Sequence, residues 1–418
     1  MIRKQAFIFV LLMVSLCLGG CSRQKEEKVE ITFIHGWGST EADHVAMRKI
    51  YEDFEKEHPE IKLNIISMPS AIDVLSKVGD LLTVGEIPDI IFTAGDGRES
   101  IYEFMVEKGY ALDLMPVLEK DEGLKNSISP SSLKYWVTQE NQLFTVSDVL
   151  MLSGGYWYNK DLFREVGIEE PSLETEQWLA DCEKIYEYSI KDEQDFKPLI
   201  LDSDHVVYLT DAILADEIPD LLDNIENKEI NLYSQGFRRT LVQLERLAKV
   251  SDIVNSFNFR DTLASFNAKE TVMYVNGVWA SAMIDKNLNV GYMPFPTEDG
   301  KGVAAISSGV GYILGDTKDE KQINASIEFL KYMLSEPVAN RILQETGQIP
   351  SNPNVKITEE AAGTRLYQAI QSIEKAEKII EVPANIWGTL KKDEYGNNII
   401  LYLDKKLSYK ELQKKMTK

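Results

Sequence analysis

Histidine and cysteine are scarce in this 418-residue chain, with four of the first and three of the second. His35, His44, His58 and His205 are scattered and show none of the Cys or His spacings that assemble a zinc site, so neither a metal nor another cofactor is expected. Cys17 and Cys21 lie in the leader region, which leaves Cys182 alone inside a helical pattern. It has no cysteine to pair with and reads as a small buried apolar residue rather than a nucleophile. No Gly-rich phosphate fingerprint, long repeat or extended low-complexity segment occurs. Positive charge is also short: 45 Lys and Arg against 67 Asp and Glu give a net charge of -22, which argues against nucleic acid as a partner. Beyond the leader, no apolar run approaches the roughly 20 residues that a membrane-crossing helix requires.

What is present begins with the leader itself. Arg3 and Lys4 precede an apolar stretch from Ala6 to Leu18, and Leu18-Gly19-Gly20-Cys21 precedes polar residues. A basic start, a short apolar core and small residues before a cut make an export signal. The small-small-Cys ending resembles the bacterial lipoprotein signal, which implies removal of residues 1–20 and lipidation of Cys21. Residues 21–28 then form a short tether, and the acyl chain holds the protein at the outer face of the cytoplasmic membrane.

Some 400 remaining residues, with 44% of the whole chain hydrophobic, exceed one comfortable core, so two lobes are expected. Val29, Ile31 and Phe33 alternate as a strand that ends at Gly36-Trp37-Gly38. A helix follows, capped by Ser39 or Thr40, with Met47, Ile50, Tyr51 and Phe54 on one face and a stop at His58-Pro59. Ile61, Leu63 and Ile65 alternate again, and a helix from about Ala71 to Val84 leads into the short apolar strand Asp89 to Phe92. Strand-helix-strand-helix-strand predicts an open parallel sheet whose ligand site lies in the loops beyond the carboxyl ends of the strands. Strands at 143–150, 271–275, 290–293 and 306–314, alternating with helices at 176–190, 237–249 and 323–334, extend the α/β pattern to the end.

Ile34-His35-Gly36-Trp37-Gly38 after a first strand also resembles the oxyanion loop of α/β-hydrolases. That chemistry requires a Gly-x-Ser-x-Gly elbow followed by an acid and a histidine; the elbow is absent and the last histidine is His205. Acidic residues are so numerous that no pair stands out as a glycosidase couple. Aromatics are more informative. Trp37, Tyr156, Trp157, Tyr208, Trp279 and Trp387 fall in predicted loops or at element ends, whereas Trp136 and Trp178 read as core. Beside Glu41, Asp96 and Asp204, this set fits sugar recognition, because sugar faces stack on rings while hydroxyls require fixed acceptors and donors.

The order of several segments resembles the extracellular solute-binding proteins of ABC transporters, in particular the maltose-binding-protein-like carbohydrate binders. The resemblance is carried by Phe54-Glu55-Lys56-Glu57-His58-Pro59, Gly85-Glu86-Ile87-Pro88-Asp89-Ile90-Ile91, Tyr158-Asn159-Lys160-Asp161-Leu162-Phe163, and Ala264 to Met273 leading to Asn276-Gly277-Val278-Trp279. Ile327 to Leu330 and Gly347 to Pro350 follow in the same order. It implies two α/β lobes, each an open, mostly parallel sheet flanked by helices, joined by a hinge crossed more than once. One lobe would comprise 29–147 and 296–345, the other 148–295 and 346–418.

By matching positions it further implies Asp96, Trp279, Asp204, Tyr208 and Trp387 as sugar contacts. Trp37, Ser39 and Glu41 of the first loop, Tyr156, and Ser308 near the hinge are added by location. Thr93 stands where maltose binders have a tryptophan, so maltose itself is not implied. The function implied is sugar capture for an importer, by a monomer that performs no chemistry and delivers to permease subunits. A peptide, polyamine or phosphorylated polyol as solute, a surface glycosidase, and a partner of a membrane sensor are the alternatives.

Overall fold

The computed structural model describes residues 28–93, 101–152, 154–193, 196–217, 234–254, 259–307, 310–380 and 389–416. From the amino end, β1 (Val29–His35), α1 (Ala42–Glu57), β2 (Ile61–Ser67), α2 (Ala71–Thr83) and β3 (Ile90–Phe92) follow the predicted alternation. Beyond several short helices come β4 (Thr145–Val146), β5 (Val149–Leu152), β6 (Tyr156–Asn159), α3 (Lys160–Glu165) and α4 (Thr175–Lys191). β7 (Ile200–Leu201), α5 (His205–Glu217), α6 (Gln235–Ala248), β8 (Asp252–Ile253) and α7 (Phe259–Asn267) lead to β9 (Met273–Val275). The chain continues through β10 (Val290–Met293), β11 (Val303–Ser307), β12 (Tyr312–Leu314), α8 (Glu320–Met333) and α9 (Glu336–Thr346). β13 (Ile349–Pro350), α10 (Thr364–Ile373), β14 (Lys378–Ile380) and α11 (Thr389–Leu403) lie near the end.

Three apolar clusters organise these elements, the third, with Trp157, Tyr274, Val290 and Ile349, lying in the same lobe as the second. In the first, the five-stranded sheet β2-β1-β3-β12-β4 has β1 parallel to β2 and β3, with β12 antiparallel to β3 and β4. α1 covers it with Met47, Ile50, Tyr51 and Phe54, all fully buried, and Phe329 of α8 meets Phe33, Tyr51 and Phe54. Each such side chain contributes on the order of 2 kcal/mol of burial, which fixes the face of α1 and hence the direction of the loop before it.

The second core takes Tyr156, Phe163, Trp178, Leu199, Leu214, Phe237 and Ile399. Its named strands depart from the parallel expectation: β9 and β10 both run antiparallel to β6 and flank it, while β11 is antiparallel to β5 and parallel to β14. β9 and β10 are thus parallel to each other, joined by a crossover that passes β6. Val303 and Ala305 pack in this core, so the chain leaves it after β11 and not at the expected 296.

The chain passes between the two lobes at β4 to β5, β11 to β12, and α9 to β13. The strands predicted over 143–150 and 306–314 are each split there. Asp148 occupies the first passage. Its carboxylate accepts from the Tyr312 hydroxyl at 2.8 Å, Tyr51 stands 3.1 Å from Tyr312, and the Asp148 carbonyl accepts from Ser351 N–H at 2.7 Å. Gly311 is fixed by the same crowding, because a Cβ there would sit 2.6 Å from the Val146 carbonyl.

Candidate functional site

The loop between β1 and α1 is built by its own polar groups. His35 is buried, and its Nδ1 accepts from Trp37 N–H at 3.0 Å while Nε2 stands 3.1 Å from Ser67 Oγ. Burial, with Arg48 and His44 nearby, pushes the imidazole down to about 3, so it stays neutral and Nε2 carries the proton toward Ser67. Arg48 donates to the carbonyls of Trp37 and, at 2.8 Å, Ser39. Gly38 passes so close to the neighbouring loop that a Cβ would meet the Met68 carbonyl at 2.5 Å. Trp37 is thereby held half-buried, its ring 5.4 Å from Phe92 and edge-on to His44 at 4.9 Å.

Ser39 acts within this loop. Its hydroxyl lies 2.7 Å from His44 Nδ1, while the position expected of a cap falls to Glu41, which makes no side-chain capping bond. Glu41 pairs instead with Arg260 of α7 at 2.6 Å, so the ion pair spans the two lobes.

On the opposite side, Asn276-Gly277 delivers Trp279. The Asn276 side chain accepts from Gly277 N–H at 2.7 Å and donates to the Tyr274 hydroxyl, and Trp157 Nε1 donates to the Gly277 carbonyl at 3.0 Å. The indole of Trp279 lies directly over Gly277, on a short 3-10 turn (Val278–Ala282).

The start of α5 is set by Asp202, whose carboxylate accepts the backbone N–H groups of Asp204 and His205, the Thr262 hydroxyl at 2.7 Å, and His205 Nδ1 at 2.5 Å. Burial works against its charge, but His205 and these donors outweigh it and hold the acid down at about 2. His205 is correspondingly raised.

These pieces face one cleft of about 300 Å³. Trp37, Glu41, Asp43, His44, Ser70 and Phe92 line it from the first lobe; Asp204, His205, Tyr208, Asn276, Trp279 and Met283 line it from the second, and Val149, Met151, Val310 and Gln348 belong to the hinge region. Among the described residues, Asp43 Oδ1 and Asp204 Oδ1 are buried and accept no hydrogen bond. Of the sequence-derived set, Trp37, Glu41, Asp204, Tyr208 and Trp279 therefore come together, and Ser39 supports them from outside the lining.

Tyr156 is a correction. It is fully buried against Trp178 and Phe295, because β6 is paired on both edges and this residue faces the lobe interior. Trp157 is likewise buried. Asp96, Ser308, Trp387 and Cys21 lie outside the described residues. Asp43, His44, Asn276 and Met283 were not anticipated, although the first two sit in the first turn of α1 beyond Trp37 and the last two flank Trp279. Thr93 is fully buried and its hydroxyl accepts from Gly311 N–H at 3.0 Å, so it ties β3 to the hinge strand.

Two lobes, three passages and a cleft lined from both sides invite comparison with known proteins. The family model of the bacterial extracellular solute-binding protein matches residues 37–340. The chain belongs to that family. Among its relatives, the multiple sugar-binding protein of Streptococcus mutans is 24% identical over 85% of this chain and 87% of its own. The melibiose/raffinose/stachyose-binding protein of Bacillus subtilis is 22% identical, covering 93% of this chain and 90% of its own. A Streptococcus pneumoniae solute-binding protein solved with the blood group A-trisaccharide superposes with a TM-score of 0.76 at 22% identity, over 93% of this chain and 98% of that one, and so shares the two-lobed fold. The solute-binding family is extracellular or periplasmic, and among the described residues no helix is long and apolar enough to cross a membrane.

Proposed function

We propose that this chain is the binding component of an ABC importer and captures an oligosaccharide between its two lobes, without chemistry on the ligand. The observation that carries this reading is one cleft with Trp37 on one wall and Trp279 and Tyr208 on the other, beside buried carboxylate oxygens of Asp43 and Asp204 that lack donors. Rings supply apolar faces for pyranose stacking, and donor-poor carboxylates suit ligand hydroxyls. The sugar-binding relatives point to the same ligand class.

Asp96 and Trp387, by the family resemblance, and Ser308, by its location near the hinge, complete the ligand set in this reading. Ligand that touches both walls has higher affinity for the closed arrangement and shifts the equilibrium toward it. Cys21 carries the lipid anchor, the protein works as a monomer, and permease subunits receive the sugar.

A thermal-shift screen against neutral oligosaccharides, followed by calorimetric titration, tests the ligand class, since a ligand that binds only the folded state raises the melting temperature. A saturable rise with at least one sugar, and no release of reducing ends on prolonged incubation, is expected. Stabilisation only by peptides or polyamines would sink the sugar reading. Replacing Cys21 with Ser should release the protein from the membrane fraction; retention there would remove the lipid anchor from the proposal.

A further inference from the structure

The cleft pairs much of its charge in a chain with a large excess of one sign. Although the whole chain carries a net charge of -22, three ionisable groups that line the cleft among the described residues face an opposite charge. Glu41 faces Arg260 at 2.6 Å, His205 faces Asp202 at 2.5 Å, and Asp204 faces Lys392 Nζ at 3.7 Å. Asp43 and His44 adjoin each other; burial raises the first and lowers the second.

Lys392 is the member that needs explaining, because it is not part of the lining. It reaches in from α11 with its side chain 17% exposed and places its ammonium 5.9 Å from the centre of the Tyr208 ring. The charged or titratable groups around it are Asp204 just before α5, His205 and Tyr208 of α5, and Asp393 of its own helix. Withdrawing an ammonium from water is costly, and the neighbouring carboxylates offset that cost. At 3.7 Å, however, the ammonium leaves Asp204 Oδ1 without a hydrogen bond. The carboxylate is thus neutralised at a distance while one oxygen keeps its capacity to accept.

We infer that Lys392 is a specificity-determining residue: by balancing Asp204 from outside the lining, it lets the cleft accept ligand hydroxyls while selecting an uncharged oligosaccharide over amino- or carboxylate-bearing ones. This inference rests on the sugar reading above. An ammonium on the ligand meets an acceptor whose charge is already matched and a lysine that repels it. A ligand carboxylate meets Asp204 and Glu41, and the cations that balance them are already engaged.

The test is calorimetric titration of raffinose, maltotriose and N-acetylchitotriose against chitosan trimer and trigalacturonate, at fixed pH and salt. The wild type should bind its best neutral sugar at least about tenfold more tightly than either charged trimer. Lys392→Met should weaken that neutral sugar and move the ratio of chitosan trimer to neutral affinity up by about tenfold or more, whereas Lys392→Arg should keep the wild-type order. Asp204→Asn removes the cleft carboxylate that Lys392 offsets and should move the ratio toward trigalacturonate, which keeps the test open if Lys392→Met fails to fold. If a charged trimer binds the wild type as well as the best neutral sugar, or if Lys392→Met lowers all affinities by one common factor, the inference is overturned and the sugar reading stands. If no sugar of any charge binds, both fall.

Discussion

Substituting Gly277 by Ala should disable the site without touching any group that meets the ligand. A Cβ at this position would lie 2.0 Å from Cζ3 of the Trp279 ring and 2.3 Å from Cε3 and Cη2, so ring and methyl cannot coexist in the present arrangement. The ring must give way, because Gly277 is anchored through its N–H to Asn276 and its carbonyl to Trp157. Its φ of -70° and ψ of 173° are ordinary for alanine, so the backbone itself is not strained. If one face of the indole, roughly 80 Å², is hidden against the sugar, burial at about 25 cal/mol/Å² is worth about 2 kcal/mol. Losing it weakens binding by about thirtyfold. Calorimetric titration of the best oligosaccharide should show that loss for Gly277→Ala and for Trp279→Ala. The double variant should be no worse than Trp279→Ala alone, since both changes remove the same contact. Melting temperatures should stay close to wild type. Wild-type affinity in Gly277→Ala, or losses that add in the double variant, would refute the seating of Trp279 on Gly277.

Three further outcomes follow from the same structure. Arg260→Gln removes the ion pair that spans the lobes; exposed pairs are worth about 0.5–1 kcal/mol, so ligand affinity should fall about two- to fivefold, and the difference should vanish in about 1 M salt. An affinity ratio independent of salt would argue against an ionic latch. Burial raises Asp148 from 3.8 to about 6, so the folded state binds this proton more tightly than the unfolded chain, and the residue's contribution to stability falls as pH rises from about 4 to about 6. Asp148→Asn should therefore be more stable than wild type at pH 7 by up to about 3 kcal/mol, with the gap closing near pH 4 in denaturant titrations; a gap that is flat with pH contradicts this. His205→Ala leaves Asp202 buried and charged without its main partner, at a cost of about 3–5 kcal/mol measured by denaturation at pH 5–6, where the native pair is fully charged.

The first lobe was legible because its signals are local. Alternation in Val29 to Phe33 and Ile61 to Ile65, and the spacing of Met47, Ile50, Tyr51 and Phe54, each report a face, and the observed elements agree to within a residue or two. The hinge was not legible in the same way. Residues 143–150 and 306–314 are apolar enough for continuous strands, but the chain changes lobes within each of them. What breaks them is the fit of Asp148 against Tyr312 and of Gly311 against Val146, pairs far apart in sequence that no window captures. Antiparallel pairing in the second lobe escaped for a related reason. β6, β9 and β10 carry apolar runs that would suit either direction, and only the path of the chain decides.

In the cleft, Trp37 and Trp279 were legible because glycines beside them free a ring from regular structure and let the backbone pass beneath it. Tyr156 misled because an aromatic run near a turn looks the same whether its strand is exposed or paired on both edges. Charges are harder still. Glu41 and Asp204 both read as free acceptors, yet one is committed to Arg260 across the cleft and the other is balanced by Lys392. Composition gave a net charge of -22, from which an acidic cleft suited to cations was a fair alternative. The pairing reverses that consequence: among the described residues, Glu41, Asp204 and His205 of the cleft each face an opposite charge. Uncharged, hydroxyl-rich molecules with apolar faces are what such walls retain, because they can satisfy open acceptors without paying to desolvate a charge of their own.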